Sequence, residues 1–280
     1  MIIVGVDGSV AARAAVEWAA KDAFRMRVPL RLVHAVNRSP YQISKFPNAA
    51  MPDALLREGQ RILREAEALV RERQPTVEVG TRDIEGAPAE VLREQAADAT
   101  EVVVGGRGRG GFAGALLGSV SMHVAGHLRC PVVVVRAEHR PTYGEVVVGV
   151  DDSPECEPAL AYAFEQAKLR DSALRVLHAW QVPVHAFASE ASYDMDEVRT
   201  AQHQSVSDRL AVFSRDYPEV RLVEEVQSAD PVDALTDASE RADLLVVGSH
   251  GRGALGSMVL GSVSRGVLSY ACCPVAVVRA

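Results

Sequence analysis

Apolar residues along the chain follow two spacings. Short continuous runs at Ile2–Val6, Leu30–Val36, Val102–Val104 and Val132–Val135 read as strands buried on both faces. Between them, Ala11, Ala14, Ala15, Trp18 and Ala19 recur every three or four residues, as do Leu55, Ile62, Ala66, Leu69 and Val70. That is the stripe of an amphipathic helix. The pattern predicts a helix over about Val10–Arg25 with Ser9 as its cap, and a second over about Pro52–Arg73. Residues 37–51 between them are polar with two prolines and read as a long loop. A modest strand is predicted over Thr76–Gly80, a short helix over Pro88–Ala97, a strong strand over Glu101–Val104 and a helix over Ser119–Leu128, before the run at 132–135. Strands and helices alternate throughout. That order calls for an open α/β fold, a five-stranded parallel sheet covered by helices on both faces.

The same unit then returns. Ile3-Val4-Gly5-Val6-Asp7-Gly8-Ser9 is echoed 144 residues on by Val147-Val148-Gly149-Val150-Asp151-Asp152-Ser153, and Leu32-Val33-His34-Ala35 by Val176-Leu177-His178-Ala179. Pro88 and Pro231, Gly105 and Gly248, and Cys130-Pro131 and Cys273-Pro274 match at an offset of 143. One residue is therefore lost within the second copy. A repeat this long is a duplicated domain, not a solenoid of short period. The chain divides into a first domain over 1–138, a linker over 139–144 (HRPTYG) and a second domain over 145–280. In the second copy, strands are predicted over 145–150, 173–179, 220–226, 243–247 and 275–278, and helices over about 155–171, 194–214, 231–241 and 262–270.

Chemistry concentrates after the fourth strand of each copy. Gly105-x-x-Gly108, nine residues, then Gly118-Ser119 is matched by Gly248-x-x-Gly251, nine residues, then Gly261-Ser262. Glycine lets backbone N–H groups turn inward around an anion, and a helix start presents unpaired N–H groups and its positive dipole end. Strand, glycine loop and helix start together form phosphate-binding architecture. A P-loop is excluded because neither copy has its lysine. Gly106-x-Gly108-x-x-Gly111 and Gly251-x-Gly253-x-x-Gly256 match the dinucleotide fingerprint in form only. They follow the fourth strand instead of the first, and no acidic residue follows at the ribose distance.

Asp7 and Asp151 end the first strands, at the edge where open α/β sheets bind ligands. A carboxylate beside a phosphate loop repels the ligand unless it holds Mg²⁺, directly or through water. The other reading is an aspartate that closes a turn or caps the first helix, and the two roles are compatible. Arg107, Arg109, His250 and Arg252 are candidate phosphate contacts or solvent-facing loop residues. Ser119 and Ser262 either bond a phosphate oxygen or cap a helix. His34 and His178 lie in apolar strands with no second ligand at metal spacing, which marks them as core histidines.

Composition narrows the function further. The 280 residues are 48% hydrophobic, 24% charged and 5% aromatic, enough for two cores and poor material for an aromatic binding groove. A net charge of -7 argues against a nucleic-acid partner. No segment reaches membrane-spanning length, the N-terminus MIIVGVDGS does not read as a signal peptide, and four cysteines with no Cys-x-x-Cys suit a reduced cytoplasm. There is no Gly-x-Ser-x-Gly elbow, no Cys/His cluster and no duplicated acid–base pair beyond the aspartate. The expectation is a pair of sites that hold a nucleotide without rapid turnover. The rival classes are a slow ATP hydrolase or nucleotidyl transferase, and a ligand-free interaction scaffold.

With both Gly-2x-Gly-9x-Gly-Ser loops and the openings Gly-Val-Asp-Gly-Ser and Gly-Val-Asp-Asp-Ser, the chain resembles the universal stress protein family in its tandem, actinobacterial form. The resemblance covers nearly all 280 residues. It implies a sheet ordered 3-2-1-4-5 in each domain and one ATP with Mg²⁺ in each cleft, serving stress-response regulation. Carried over by position, Asp7 would hold the metal or approach the ribose and phosphate. Ala35 and Val36 would offer backbone groups to adenine, and Gly105, Gly108, Gly118, Ser119 and Val120 would cradle ribose and phosphates. The second set is Asp151, Ala179, Trp180, Gly248, Gly251, Gly261, Ser262 and Val263, with Trp180 in place of the smaller Val36. The resemblance also implies pairing of the two domains through their last strands, with a homodimer or an unidentified protein partner beyond that.

Overall fold

A computed structural model describes residues 1–37, 50–108, 117–136, 140–181, 195–251 and 260–280, and the backbone alone at 50–53, 195, 196 and 198. The chain separates into two compact units, Met1–Arg140 and Pro141–Ala280. In unit 1 the elements run β1 (Ile2–Gly5), α1 (Val10–Met26), β2 (Leu30–Val36), α2 (Ala50–Arg73), β3 (Val79–Glu85), α3 (Pro88–Gln95), β4 (Glu101–Gly105), α4 (Ser119–His127) and β5 (Val132–Val135). Every pairing is parallel. β1 lies between β2 and β4, β3 flanks β2, and β5 flanks β4, so the order is 3-2-1-4-5. The order reverses between β1 and β4, which leaves a crevice beyond their C-terminal ends.

Unit 2 repeats this with β6 (Glu145–Val150), a 3-10 turn at Pro154–Cys156, α5 (Glu157–Arg170), β7 (Ala173–Trp180), α6 (Met195–Asp216), β8 (Leu222–Ser228), α7 (Pro231–Ser239), β9 (Leu244–Gly248), α8 (Ser262–Tyr270) and β10 (Val275–Val278). Its pairings are β7 with β8, β6 with β7, β6 with β9 and β9 with β10. Among the described residues, no helix is long and apolar enough to cross a membrane.

The central strands form the cores. Ile2, Ile3, Val4, Val102 and Val103 are fully buried in unit 1, as are Val146, Val147, Val148, Leu244 and Leu245 in unit 2. Each such side chain contributes roughly 1.5–3 kcal/mol. α1 lays Ala15, Ala19 and Ala20, all fully buried, against the sheet. These small side chains let its backbone come close to the strand ends. Ser9 caps it, its Oγ accepting the Ala12 amide at 3.1 Å.

Two strands fall later than their sequence suggests. β3 occupies 79–85 instead of 76–80, and β8 occupies 222–228 instead of 220–226. Their apolar content is thin and both are substantially exposed, so periodicity places them poorly. Register with the neighbouring strand fixes them, Leu30 lying opposite Val79 and Leu174 opposite Leu222.

Candidate functional site

Three stretches converge beyond β1 and β4. β4 runs into its loop, where the Gly106 amide donates to Val135 O at 2.7 Å and the Gly118 amide donates to Gly106 O at 2.7 Å. That second bond folds the far end of the glycine loop back onto its start. Unit 2 repeats both, with Ser249 N to Val278 O at 2.7 Å and Gly261 N to Ser249 O at 2.9 Å. Gly118 and Gly261 are the N-caps of α4 and α8 and offer no side-chain cap. The first N–H groups of each helix therefore receive no side-chain cap from the cap residue itself. Ser119 and Ser262 are the first helical residues and both are exposed. The capping role considered for them belongs instead to the glycine positions.

The aspartates close the third side. Asp7 Oδ1 accepts the Ser9 amide at 3.0 Å, which settles the turn into α1. A Cβ built on Gly108 would lie 2.6 Å from Asp7 Oδ2. In unit 2, Asp151 Oδ1 accepts the Ser153 amide at 3.1 Å and the Ser153 hydroxyl at 2.5 Å, and a Cβ on Gly251 would likewise run into Asp151 Oδ2. A side chain at the second glycine of each loop would thus have to displace the carboxylate that approaches it. Gly105 is required by backbone, since its Cβ would lie 2.6 Å from the carbonyl carbon of Ala11.

The turns after β1 and β6 differ. Gly8 has φ 77°, a left-handed conformation that suits glycine. Asp152 takes its place without positive φ, and the chain makes the 3-10 turn before α5. Arg209 of α6 holds that turn, donating from Nη1 to Ser153 O at 2.5 Å and Asp151 O at 3.3 Å, and from Nη2 to Asp152 O at 3.1 Å. Its Nη1 also lies 2.7 Å from Cys156 Sγ. Burial pushes the Cys156 thiol above its ordinary range, and the nearby guanidinium only partly offsets this.

A cavity of about 310 Å³ in unit 1 brings together Asp7, Ala35, Gly105, Gly108, Gly118, Ser119 and Val120, with Arg107 at its wall. Val36 is buried and is not among its lining residues, whereas Ala35 is. A cavity of about 630 Å³ in unit 2 brings together Asp151, Ala179, Trp180, Gly248, Gly251, Gly261, Ser262 and Val263, with His250 and Arg265. Both volumes suit small-molecule sites. Arg109 and Arg252 lie outside the described residues.

Sequence reasoning missed several side chains here. Ser121 Oγ donates to Gly105 O at 2.7 Å and Ser264 Oγ donates to Gly248 O at 2.6 Å, tying each helix start to its strand end. The shared Gly-Ser-Val-Ser carried that signal. Leu92 and Leu235 also line the cavities and crowd Gly5 and Gly149.

The two strand histidines are satisfied within their units, by different partners. His34 Nδ1 meets Asp83 Oδ1 at 2.9 Å, beneath Gly59, where a Cβ would clash with both. His178 Nδ1 meets Val150 O at 3.0 Å and its Nε2 meets Gln202 Oε1 at 2.8 Å. Among the described residues, no three His, Cys, Asp or Glu side chains cluster as metal ligands.

The model of the family described as the universal stress protein family matches residues 1–136 and again 142–279. A universal stress protein of Mycobacterium tuberculosis is 37% identical over 292 residues, covering 99% of this chain and 96% of its own length. Another, of Mycobacterium bovis, is 36% identical over 303 residues, covering 99% and 94%. A universal stress protein of Archaeoglobus fulgidus shares the fold with a TM-score of 0.73 at 20% identity, covering 99% of this chain and 95% of its own. Matched twice by the family model and aligned nearly end to end with relatives at this identity, the chain belongs to the universal stress protein family.

Proposed function

We propose that each unit binds one nucleotide, ATP with Mg²⁺, and that the protein works as a nucleotide-loaded regulator of stress response in the cytoplasm. The observation that carries this reading is the duplicated cradle. In both units an aspartate carboxylate, a glycine turn that admits no Cβ beside it, and an uncapped helix start surround one cavity. Backbone N–H groups and the helix dipole supply phosphate binding without lysine. The donor set fits a magnesium nucleotide. Mg²⁺ takes one or two carboxylates and completes its shell with phosphate oxygens and water, and Asp7 or Asp151 provides the carboxylate in each site. Bound there, the ion would offset the charge of the phosphates. Four cysteines outside any disulfide agree with a reducing compartment.

Calorimetry on the intact chain tests the reading. MgATP should titrate about two sites, and Gly118→Asp together with Gly261→Asp should abolish both by placing a carboxylate at the helix cap. Wild-type protein that takes up no ATP, and carries none through purification, overturns it. A single-turnover assay with labelled ATP on the same samples separates the regulator from a hydrolase or nucleotidyl transferase. Turnover below about 1 per minute supports the regulator, and a rate in the ordinary enzymatic range of ~1–10³ s⁻¹ favours the enzyme.

A further inference from the structure

We infer that the ligand of unit 2 is held by two side chains with no counterpart in unit 1, the indole of Trp180 and the imidazole of His250, which make it the tighter of the two sites. The inference rests on the proposed nucleotide binding and adds what distinguishes one site from its duplicate.

Trp180 ends β7 where Val36 ends β2, and His250 follows β9 where Arg107 follows β4. Both line the larger cavity. Trp180 Nε1 and His250 Nε2 are buried atoms with no hydrogen-bond partner among the described residues. Buried polar atoms are nearly always paired, and each one that is not points to a missing partner. The indole N–H can only donate, so its partner is an acceptor. A nucleotide carries acceptors on its base, ribose and phosphates.

The two side chains stand at different ends of the cavity lining. Trp180 is at the tip of the second strand of its unit, the side assigned to the base. His250 lies against the helix start, its Cα 3.5 Å from where a Cβ on Gly261 would sit, which is the phosphate side. Its Nδ1 is 3.0 Å from Ser249 Oγ. A hydroxyl donates or accepts, so this contact accommodates the tautomer that carries hydrogen on Nε2 and steadies the ring in it. Ser249 replaces Gly106 and His250 replaces Arg107, so ring and ring-holder changed together. Unit 1 offers nothing equivalent. Val36 is apolar and buried, and Arg107 is exposed.

One hydrogen bond made by a buried, otherwise unpaired atom changes affinity about two- to twelvefold. Two of them, at about fivefold each, make the unit-2 site roughly 25-fold tighter, so unit 2 fills first.

The test uses the full chain with Trp18→Phe, which leaves Trp180 as the sole indole of the two tryptophans. MgATP is titrated with calorimetry and tryptophan emission read together. The expected result is two phases, with emission changing in the tighter one. Trp180→Phe keeps the ring and removes the donor, and His250→Ala removes the imidazole. Each, measured by calorimetry, should weaken the tighter phase about fivefold and leave the other unmoved. Gly118→Asp should remove only the weaker phase. The two single variants report independently, so misfolding of one, seen by circular dichroism, leaves the other decisive. Two phases with emission tracking the weaker one, or with both variants binding as the parent does, overturn this inference alone. The absence of binding in either phase overturns the proposed nucleotide binding and this inference with it.

Discussion

Replacing Gly105 by alanine probes the close approach on which the unit-1 cradle depends. The new methyl carbon would lie 2.6 Å from the Ala11 carbonyl carbon, 2.8 Å from the Ala11 oxygen and 2.8 Å from the Ala12 nitrogen. Carbon atoms pack at about 3.5–4.0 Å, so roughly 1 Å of movement is needed, and all three neighbours are backbone of the first turn of α1. That turn cannot yield cheaply. Ala11, Ala12 and Ala15 are buried against the sheet, and Ser9 caps the helix just ahead of them. Gly105 is not at positive φ, so the cost is one of space.

Overpacking of this kind costs about 1–3 kcal/mol. Because rigid backbone is involved we expect the upper half of that range, a loss of roughly 5–10 °C in melting temperature. The duplicate glycine should behave differently. A Cβ on Gly248 meets His250 O at 3.2 Å and Glu155 O at 3.7 Å, an adjustment of a few tenths of an ångström, so Gly248→Ala should cost less than about 1 kcal/mol. Gly80→Ala is the control. Nothing lies within 4 Å of its Cβ, and the change should be neutral or stabilising by about 0.4–1 kcal/mol through the unfolded chain. Differential scanning calorimetry on the three single variants gives the ranking. If Gly105→Ala melts within about 2 °C of the parent, or Gly248→Ala is the more damaging, the steric argument fails.

Two further outcomes are expected. Arg209→Met keeps the aliphatic stem and removes three charge-assisted bonds to backbone carbonyls, so it should destabilise unit 2 by about 2–3 kcal/mol and expose the amides of 151–157 to hydrogen exchange. Unchanged protection there contradicts the bracing role. Burial raises the Cys130 thiol to about 11. At pH 8 its thiolate fraction, and with it the alkylation rate by iodoacetamide, should fall about a hundredfold below that of the unfolded chain. An equal rate refutes the burial.

What the sequence disclosed follows from which signals are local. Valine runs in the central strands and the alanine stripe of α1 report burial directly, so β1, β4, β5 and α1 were legible to within a residue or two. The duplication doubled each signal, and it exposed the glycine loops because their spacing survives where other loops diverge. β3 and β8 were misplaced because polar, exposed strands take their position from the neighbouring ladder, and that information lies in β2 and β7. The role of Arg209 was invisible for the same reason. Its partners, Asp151 to Cys156, are more than 50 residues away, and α2 has Glu65 and Ala66 at the matching place. Gly108 was legible as a loop glycine. That the Asp7 carboxylate stands against it was not, since the contact joins residues about 100 positions apart.

The two units show which parts of this fold are repeated and which parts vary. Backbone features are duplicated faithfully: the turn hooked by Gly118 or Gly261, the serine tying helix to strand, and the glycine yielding to aspartate. Side chains around them changed in compensating groups. Gly59, His34 and Asp83 in unit 1 correspond to Gln202, His178 and Val226 in unit 2, where histidine Nδ1 meets the Val150 carbonyl instead of a carboxylate and the glutamine Oε1 meets Nε2. Gly8 became Asp152 alongside an arginine that holds the altered turn. Gly106 and Arg107 became Ser249 and His250. Each group alters what lines or supports the cavity, while the hooked turn of the glycine loop is kept in both units. An anion cradle made of main chain can persist under such drift, because its N–H groups do not depend on side-chain identity. Affinity can then diverge between the copies without loss of the site. Two sites of unequal affinity in one chain respond to a broader span of ligand concentration than two equal ones, since each reports around its own dissociation constant. For a regulator loaded by an abundant nucleotide, that difference gives the retained duplicate a use beyond stoichiometry.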